Sequence, residues 1–461
     1  MAELSINFAG IHSPNPFWLA SAPPTNSGAQ IHRAFEAGWG GAVWKTIGAP
    51  VLNVSNRYGA WHYGGQKMLA INNVELISDR SIDVNLREIA EVKRAWPDRA
   101  LIVSAMVESK PEIWHDVIRR IQDTGADGIE LNYGCPHGMS ERGMGSAVGQ
   151  VPEYCEQITR WVMEVAKIPI IVKLTPNVSD IVMPARAAVT AGANALSLIN
   201  TINSIMGVDL DTLEITPNIG GKGGHGGYAG PAVKPIALNM LSALGRDATV
   251  SAANLPISGM GGISDWRDAA EFLLLGAGSV QLCTAVMHYG YRIIEDLCDG
   301  LSNWMDEKGF ATIPDVVGRS LSHISDFKHF DLSFRAIARI DQEKCIRCNL
   351  CYVACNDTAH QCIDLIAKDG TVVQPYAYDI RSNGREEAVE TRPQVRVRED
   401  DCVGCRLCFN VCPVEDCISM IEEPSGRERV TWEQIAKTHP EVTEDWDKMQ
   451  KYRAQMGIDI H

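Results

Sequence analysis

Basic residues are the first shortage. The 461-residue chain carries 42 Lys and Arg against 57 Asp and Glu, a formal net charge of −15 with a pI near 5.3. Nucleic acid and anionic membranes reward clustered cations, so neither is expected as a partner. Long apolar runs are missing too: none approaches the roughly 20 residues of a membrane-spanning helix. The opening stretch MAELSINFAG has neither a basic n-region nor an apolar h-region. No secretion signal is expected, and a cytoplasmic location is. No G-x-G-x-x-G set as strand, turn and helix occurs at either end, so no dinucleotide site is expected on this chain. Cysteine is scarce at first. Only Cys135, Cys155, Cys283 and Cys298 precede residue 340, and the other ten crowd into 345–417. Such crowding without a secretion signal reads as metal ligation in a reducing compartment and not as disulfides.

What is present falls, by length, into a large domain plus a smaller module. Eight short apolar runs are candidate strands: 17–23, 41–47, 101–106, 128–132, 169–175, 195–201, 256–262 and 279–285. Near-continuous apolar strands are what a parallel sheet covered on both faces requires. Amphipathic helical patterns fill most gaps, KPEIWHDVIRRIQDTGAD and SDIVMPARAAVTAGAN among them. Several end on Gly just before the next strand, as in EAGWGG, DTGADG, TAGANA and LGAGSV. Gly there accepts the left-handed conformation that closes a helix. The repeated helix–Gly–strand unit predicts an α/β fold, a (β/α)8 TIM barrel over 1–310. A doubly wound sheet is the alternative, and the Gly-rich first turn it needs is missing. Residues 311–340 read as a connector and 341–420 as a ferredoxin-like module with a polar, turn-rich insertion at 366–398. Residues 421–461 read as a charged C-terminal extension, with Trp432 and Trp446 available to pack on the module or on a partner.

The cysteine runs are the most specific signal. Cys345, Cys348, Cys351 and Cys355 follow C-x2-C-x2-C-x3-C, and Cys402, Cys405, Cys408 and Cys412 repeat it with Pro413 after. This is the two-[4Fe–4S] ferredoxin pattern, in which three cysteines grip one cluster and the fourth reaches the other. It assigns Cys345, Cys348, Cys351 and Cys412 to one cluster, and Cys402, Cys405, Cys408 and Cys355 to the other. Paired zinc sites are the bland alternative, which the doubled spacing disfavours. Asn356 stands where Pro is usual after the fourth cysteine. Cys362 and Cys417 fall outside the pattern and read as small buried fillers.

Such clusters pass single electrons. A barrel wired to them needs a group that turns one-electron steps into two-electron chemistry, which a flavin does. Barrel enzymes keep their sites at the C-terminal ends of the strands. There stand Lys45 after strand two, Asn73 in the loop INNVELIS, Asn132, Cys135, Lys173, Asn200, Thr201, Gly261, Gly262, Thr284 and Ala285. A Lys in an apolar strand is costly unless it meets an anion. A structural ion pair would serve, but two such lysines with three amides at one barrel end favour an anionic ring ligand. Gly261–Gly262 and the Thr284 turn follow strands seven and eight, the common phosphate pocket of barrels. FMN fits, with its phosphate there. The segment GGKGGHGGYAG (220–230) looks too Gly-rich for a packed element and reads as backbone close to the ligand, with His225 on the surface.

In LNYGCPHGMSERGMG (131–145), Cys135 sits between a strand end and a loose loop that carries His137, Glu141 and Arg142. An inert buried thiol is the bland reading. Redox, nucleophilic and proton-transfer roles are all open. Beside a flavin the useful one is an acid on the opposite face of the substrate. A thiol of pKa about 8.5 gives a proton and recovers it near neutral pH. The loop reads as a lid and Cys135 as its acid, with His137 either tuning the thiol or lining the loop.

LNYGCPHGMSERGMGSAVGQ, VKLTPNVSDI, INTINS, GGYAGPAVKPIAL and the paired cysteine runs closely resemble dihydropyrimidine dehydrogenase. The likeness is greatest to the separate bacterial subunit that holds the pyrimidine site and the C-terminal ferredoxin part. It covers nearly everything from about residue 5 to 420 except the 366–398 insertion. The resemblance implies FMN, two [4Fe–4S] clusters and reversible reduction of uracil or thymine to the 5,6-dihydro forms. It implies that Lys45 and Lys173 contact the flavin, with Ala22, Asn73, Asn132, Asn200, Gly230, Gly261, Gly262 and Thr284 also on the cofactor. Asn73, Asn132, Asn200 and Thr201 would hold the amide edges of the pyrimidine, and Glu75 and Ile77 would shape its pocket. Cys135 would protonate carbon 5 while hydride reaches carbon 6. A partner subunit with FAD and the NAD(P)H site is implied, docking near the ferredoxin module in a heterotetramer of two copies each.

One departure stands out. Gly134 replaces the Ser that the family commonly carries before the acid, which opens the site to a related cyclic amide. Dihydroorotate dehydrogenase is a similar FMN barrel, but its substrate brings a carboxylate, and no extra Arg or Lys accompanies the site amides. An electron-transfer subunit without its own substrate would not need Cys135 and both lysines. A tRNA uridine reductase would need a basic face.

Overall fold

The apolar runs condense into a closed parallel barrel. The computed structural model describes residues 2–63, 65–135, 143–331, 333–373, 392–426 and 428–460. Its barrel strands are β1 (Phe17–Leu19), β2 (Gly41–Ile47), β3 (Ala100–Ala105), β4 (Gly128–Asn132), β5 (Ile170–Lys173), β6 (Ala195–Leu198), β7 (Ile257–Met260) and β8 (Ala277–Leu282). They neighbour one another in chain order, and β8 closes on β1 with Val280 opposite Phe17 and Leu282 opposite Leu19. The eight runs expected from the sequence are these strands, several trimmed or shifted at their ends.

Burial explains the pattern. Every residue of β2 and β3 is buried. One core joins strand residues such as Trp44, Val103 and Ile129 to helix residues such as Phe35, Ile118, Leu241 and Leu297. Each such side chain contributes about 1.5–3 kcal/mol on leaving water. The expected glycine stops are in place: Gly38, Gly125, Gly192 and Gly276, ahead of β2, β4, β6 and β8, take φ of +113°, +83°, +91° and +105°.

A second, antiparallel sheet is built from two excursions of the chain. Tyr58–Tyr63 and Gln66–Asn73 leave after β2, and Ile202–Ser204 and Gly226–Ala229 leave after β6. The order across the sheet is Ile202–Ser204, Gly226–Ala229, Gln66–Asn73, Tyr58–Tyr63. This corrects the reading of 220–230 as unpacked. Gly226–Ala229 is an inner strand, and a Cβ on Gly226 would lie 2.3 Å from Asn72 Oδ1, so sheet packing accounts for that glycine. His225 is exposed.

The chain divides between Ile324 and Ser325. The expected connector over 311–340 is absorbed by the two units. Ile313 and Val316 are buried in the barrel core, and Phe334–Ile340 pairs antiparallel with Ile418–Pro424 in the second unit. There each cysteine run holds a short helix, Leu350–Tyr352 or Leu407–Val411. Ile363–Ile366 pairs antiparallel with Gln394–Val397, so both ends of the stretch expected as an insertion, 366–398, belong to a strand pair. Residues 374–391 of that stretch lie outside the described residues. The helices Trp432–Thr438, Pro440–Thr443 and Trp446–Met456 pack around Ile435, Val442 and Met449, leaving Trp432 and Trp446 exposed. No helix among the described residues is long and apolar enough to cross a membrane.

Candidate active site

A cavity open to solvent lies at the C-terminal ends of the barrel strands. Its wall brings together Ala22, Lys45, Asn73, Glu75, Ile77, Asn132, Cys135, Lys173, Asn200, Thr201, Gly230, Gly261, Gly262 and Thr284. Of the barrel-end residues singled out from the sequence, Ala285 is instead part of the buried core. His137, Glu141 and Arg142, and with them the expected lid, lie outside the described residues.

Lys45 stands inside β2, not after it, beside a register shift between Trp44 and Ile47 in the pairing with β3. Neither cavity lysine is bare. Lys45 pairs with Glu75, and Lys173 Nζ lies 3.2 Å from Glu130 Oε1. The structural ion pair weighed against an anionic ligand is therefore present at both, because a buried cation without a partner is strongly unfavourable. Both lysines still line the cavity.

Glu130 was missed by the sequence reasoning, as was Gln281. Glu130 is fully buried within β4, and its Oε2 accepts from Ser197 Oγ at 2.9 Å and from Gln281 Nε2 at 3.1 Å. Gln281 also donates to Ser258 Oγ at 3.2 Å. Its own Oε1 is buried at the cavity wall with no hydrogen-bond partner among the described residues. A signal existed: GIELN and SVQLCTA each place a polar residue inside a buried strand. Glu75 also accepts from the Tyr58 hydroxyl, and Arg57 Nη1 lies 3.6 Å from it. Burial first, and then the hydrogen bond to Glu75 and its charge, push the Tyr58 hydroxyl far above its ordinary range, so it remains a donor. Cys283, also unflagged, lines the cavity, and burial pushes its thiol up to about 12.

Cys135 packs with Ile77, Met106 and Met144, and its carbonyl accepts from Ser146 N at 3.1 Å. Asn132 links the neighbouring amides: its Nδ2 donates to Thr46 Oγ1 at 3.0 Å, and its Oδ1 accepts from Asn200 Nδ2 at 2.9 Å. A Cβ on Gly134 would lie 2.5 Å from Asn200 Cβ and 2.6 Å from its Nδ2. Asn200 thus occupies the room a serine would need. At the opposite corner Gly261 and Gly262 take φ of +121° and +83°, and a Cβ on Gly262 would meet Lys234 N at 2.8 Å. Bare backbone of this kind suits a phosphate. That corner, the unmatched acceptor of Gln281 and the breadth of the cavity fit FMN.

In the second unit two smaller cavities gather the cysteines. Cys345, Cys348, Cys351 and Cys412 line one, and Cys355, Cys402, Cys405 and Cys408 line the other. The fourth cysteine of each run lies with the first three of the other run. The sulfurs of each set border a common space, as ligands of a cluster would. Cys362 and Cys417 are buried, as fillers would be, but each also lines one of these cavities.

A flavin cavity in a barrel, joined in one chain to a two-cluster module, defines an oxidoreductase that couples one-electron supply to two-electron chemistry. Residues 3–305 match the family described as dihydroorotate dehydrogenase, and residues 338–377 and 382–420 match the 4Fe-4S dicluster domain. The chain is 39% identical over 370 residues to the NAD-dependent dihydropyrimidine dehydrogenase subunit PreA of Escherichia coli strain K12, covering 80% of this chain and 89% of that one. It is 38% identical over 351 residues to the chloroplastic dihydropyrimidine dehydrogenase (NADP(+)) of Arabidopsis thaliana, covering 74% and 82%. It is 34% identical over 329 residues to the catalytic subunit of dihydroorotate dehydrogenase B (NAD(+)) of Thermococcus kodakarensis, covering 70% and 99%. A crystal structure of DHODH from Eimeria tenella in complex with ferulenol shares the fold, with a TM-score of 0.57 at 19% identity, covering 70% of this chain and 89% of that one. The chain belongs to the dihydroorotate dehydrogenase family. It is an oxidoreductase acting on a CH–CH bond, with FMN and two [4Fe–4S] clusters as its cofactors.

Proposed function

We propose that the chain is the pyrimidine-reducing subunit of an NAD(P)H-dependent dihydropyrimidine dehydrogenase that acts reversibly on uracil and thymine. One observation carries the substrate class. The only cations lining the cavity, among the described residues, are Lys45 and Lys173, and each is committed to a glutamate. A neutral cyclic amide suits such a wall, and the carboxylate of orotate does not. Asn73, Asn132 and Asn200 offer amides and Thr201 a hydroxyl, the mixed donors and acceptors that a pyrimidine edge needs. Glu75 and Ile77 close the pocket around them.

Lys45, Lys173, Ala22, Gly230, Gly261, Gly262 and Thr284 would hold FMN together with the three asparagines. The eight cysteines would hold the clusters in the crossed sets given above. When bound, FMN supplies the hydride for carbon 6 and the clusters supply its electrons singly. Cys135 gives a proton to carbon 5 and takes it back in the reverse direction. A partner subunit carrying FAD and the nicotinamide site delivers the electrons, two copies of each chain forming the assembly; the E. coli relative is itself named as a subunit.

A second reading, a related cyclic amide as substrate, is favoured by Gly134 alone. Gly134→Ser is expected to raise KM for uracil by about tenfold or more, since overpacking of Asn200 costs about 1–3 kcal/mol. FMN content stays unchanged. A variant with improved KM would mean that Asn200 does not hold the substrate. Tyr58→Phe takes one donor from Glu75 and is expected to weaken uracil binding by up to about tenfold. Because Tyr58 stays protonated, the wild-type pH–rate profile should contain no step near pH 10 that the Phe variant lacks.

The whole reading is tested by purifying the chain with its partner anaerobically and following uracil and thymine reduction with NADH and NADPH. Formation of the dihydro products supports it. A fully loaded complex that consumes neither base sinks it.

A further inference from the structure

Each half of the cysteine-rich unit carries a fifth cysteine that the ligand pattern leaves over, Cys362 in one and Cys417 in the other. The halves repeat at the level of the backbone. Arg347 and Gly404, two residues after the first cysteine of each run, have φ of +52° and +69°. Asn349 and Arg406 have +63° and +65°, and Gln361 and Asp416, directly before the fifth cysteines, have +54° and +53°. Left-handed backbone is unfavourable for residues with a Cβ. The chain accepts it twice to set a cysteine at the start of a strand, Ile363–Ile366 or Ile418–Pro424. Both thiols are buried, and each lines a cluster cavity. Each also faces two ligand sulfurs, Cys362 those of Cys355 and Cys402, Cys417 those of Cys412 and Cys345, and their hydrogen-bond geometry then differs. Cys362 Sγ lies 3.4 Å from Cys355 Sγ. Cys417 Sγ donates to the Asp341 carbonyl at 3.7 Å.

We propose that Cys362 donates its S–H to the sulfur of Cys355 and so raises the reduction potential of the cluster held by Cys355, Cys402, Cys405 and Cys408. Cys417 also faces ligand sulfurs, those of Cys412 and Cys345, but it gives its S–H to the Asp341 carbonyl, so its effect on the other cluster is smaller. A donor on a ligand sulfur stabilises the added negative charge of the reduced cluster more than the oxidised one, which makes reduction easier. Cys362 transfers no electron and no proton; it positions a dipole. Two clusters with like ligand sets then differ in potential, and an electron entering the pair rests on the Cys355 side. The inference relies on the ligand sets of the proposed function, which iron and sulfide content tests separately.

The test is an EPR-monitored redox titration of the anaerobic holoenzyme complex as wild type, Cys362→Ala, Cys362→Ser and Cys417→Ala, with iron and sulfide measured on the same samples. Cys362→Ala is expected to make one cluster about tenfold harder to reduce, a fall of about 59 mV for a one-electron couple. Cys362→Ser keeps a donor and should restore most of the shift. Cys417→Ala should shift its own cluster by less than Cys362→Ala shifts the other, and a shift as large or larger overturns the difference between the two. Equal shifts in the Ala and Ser variants, or none in either, overturn the proposal. Iron lost from Cys362→Ala but kept in a Cys355→Ala variant also overturns it, because Cys362 is then the ligand. A wild type without two full clusters overturns it together with the ligand sets.

Discussion

Cys135→Ala is expected to lower the turnover of uracil by about a hundred- to ten-thousandfold, the range for removing a positioned acid, while FMN and iron stay bound. The thiol belongs to the cavity wall and is only partly buried, beside Ile77, Met106 and Met144. Alanine therefore removes a proton donor without hollowing the barrel core. Cys135→Ser keeps the shape but offers a far weaker acid, so its rate should fall between the two. Steady-state rates with uracil, read beside the flavin spectrum and iron content of the same samples, check this. A Cys135→Ala enzyme within about tenfold of wild type would take the acid role away from this residue.

Glu130→Ala is expected to destabilise the barrel by about 3–5 kcal/mol, the usual cost of leaving one member of a buried ion pair alone. Lys173 would be left at 5% exposure without its carboxylate, and Ser197 and Gln281 would lose their shared acceptor. Glu130→Gln keeps two of these hydrogen bonds and loses only the charge, so its cost should be smaller. Urea unfolding followed by tryptophan fluorescence measures both. An unchanged midpoint for Glu130→Ala would mean that the pair contributes nothing to stability.

The barrel was legible because its strands are covered on both faces and so read as unbroken apolar runs, and because Gly38, Gly125, Gly192 and Gly276 mark where helices stop. The cluster ligands were legible because their spacing is local. The ion pairs were not. Lys45 meets Glu75 across 30 residues of chain, and nothing near Lys45 announces that partner. Glu130 and Gln281 each sit alone in an apolar run, and only barrel closure brings them together, 151 residues apart. The Gly-rich stretch before Pro231 misled for a related reason. Glycine signals close approach but not to what: here Gly226 and Gly227 meet neighbouring strands, and only the end of the stretch, Ala229 and Gly230, reaches the cavity. Cys362 and Cys417 were correctly placed inside, yet burial alone does not reveal that they border the cluster cavities.

The sheet made from two excursions has a practical consequence. Asn73 is flanked on one side by Tyr58 and on the other by Gly227, so its position is set by segments that enter from different barrel strands. Neither excursion is a self-standing cassette. An attempt to transplant substrate preference from a relative by grafting residues 58–75 alone should scramble the pocket, whereas a graft that carries 201–230 along with it should bring the donor's preference intact.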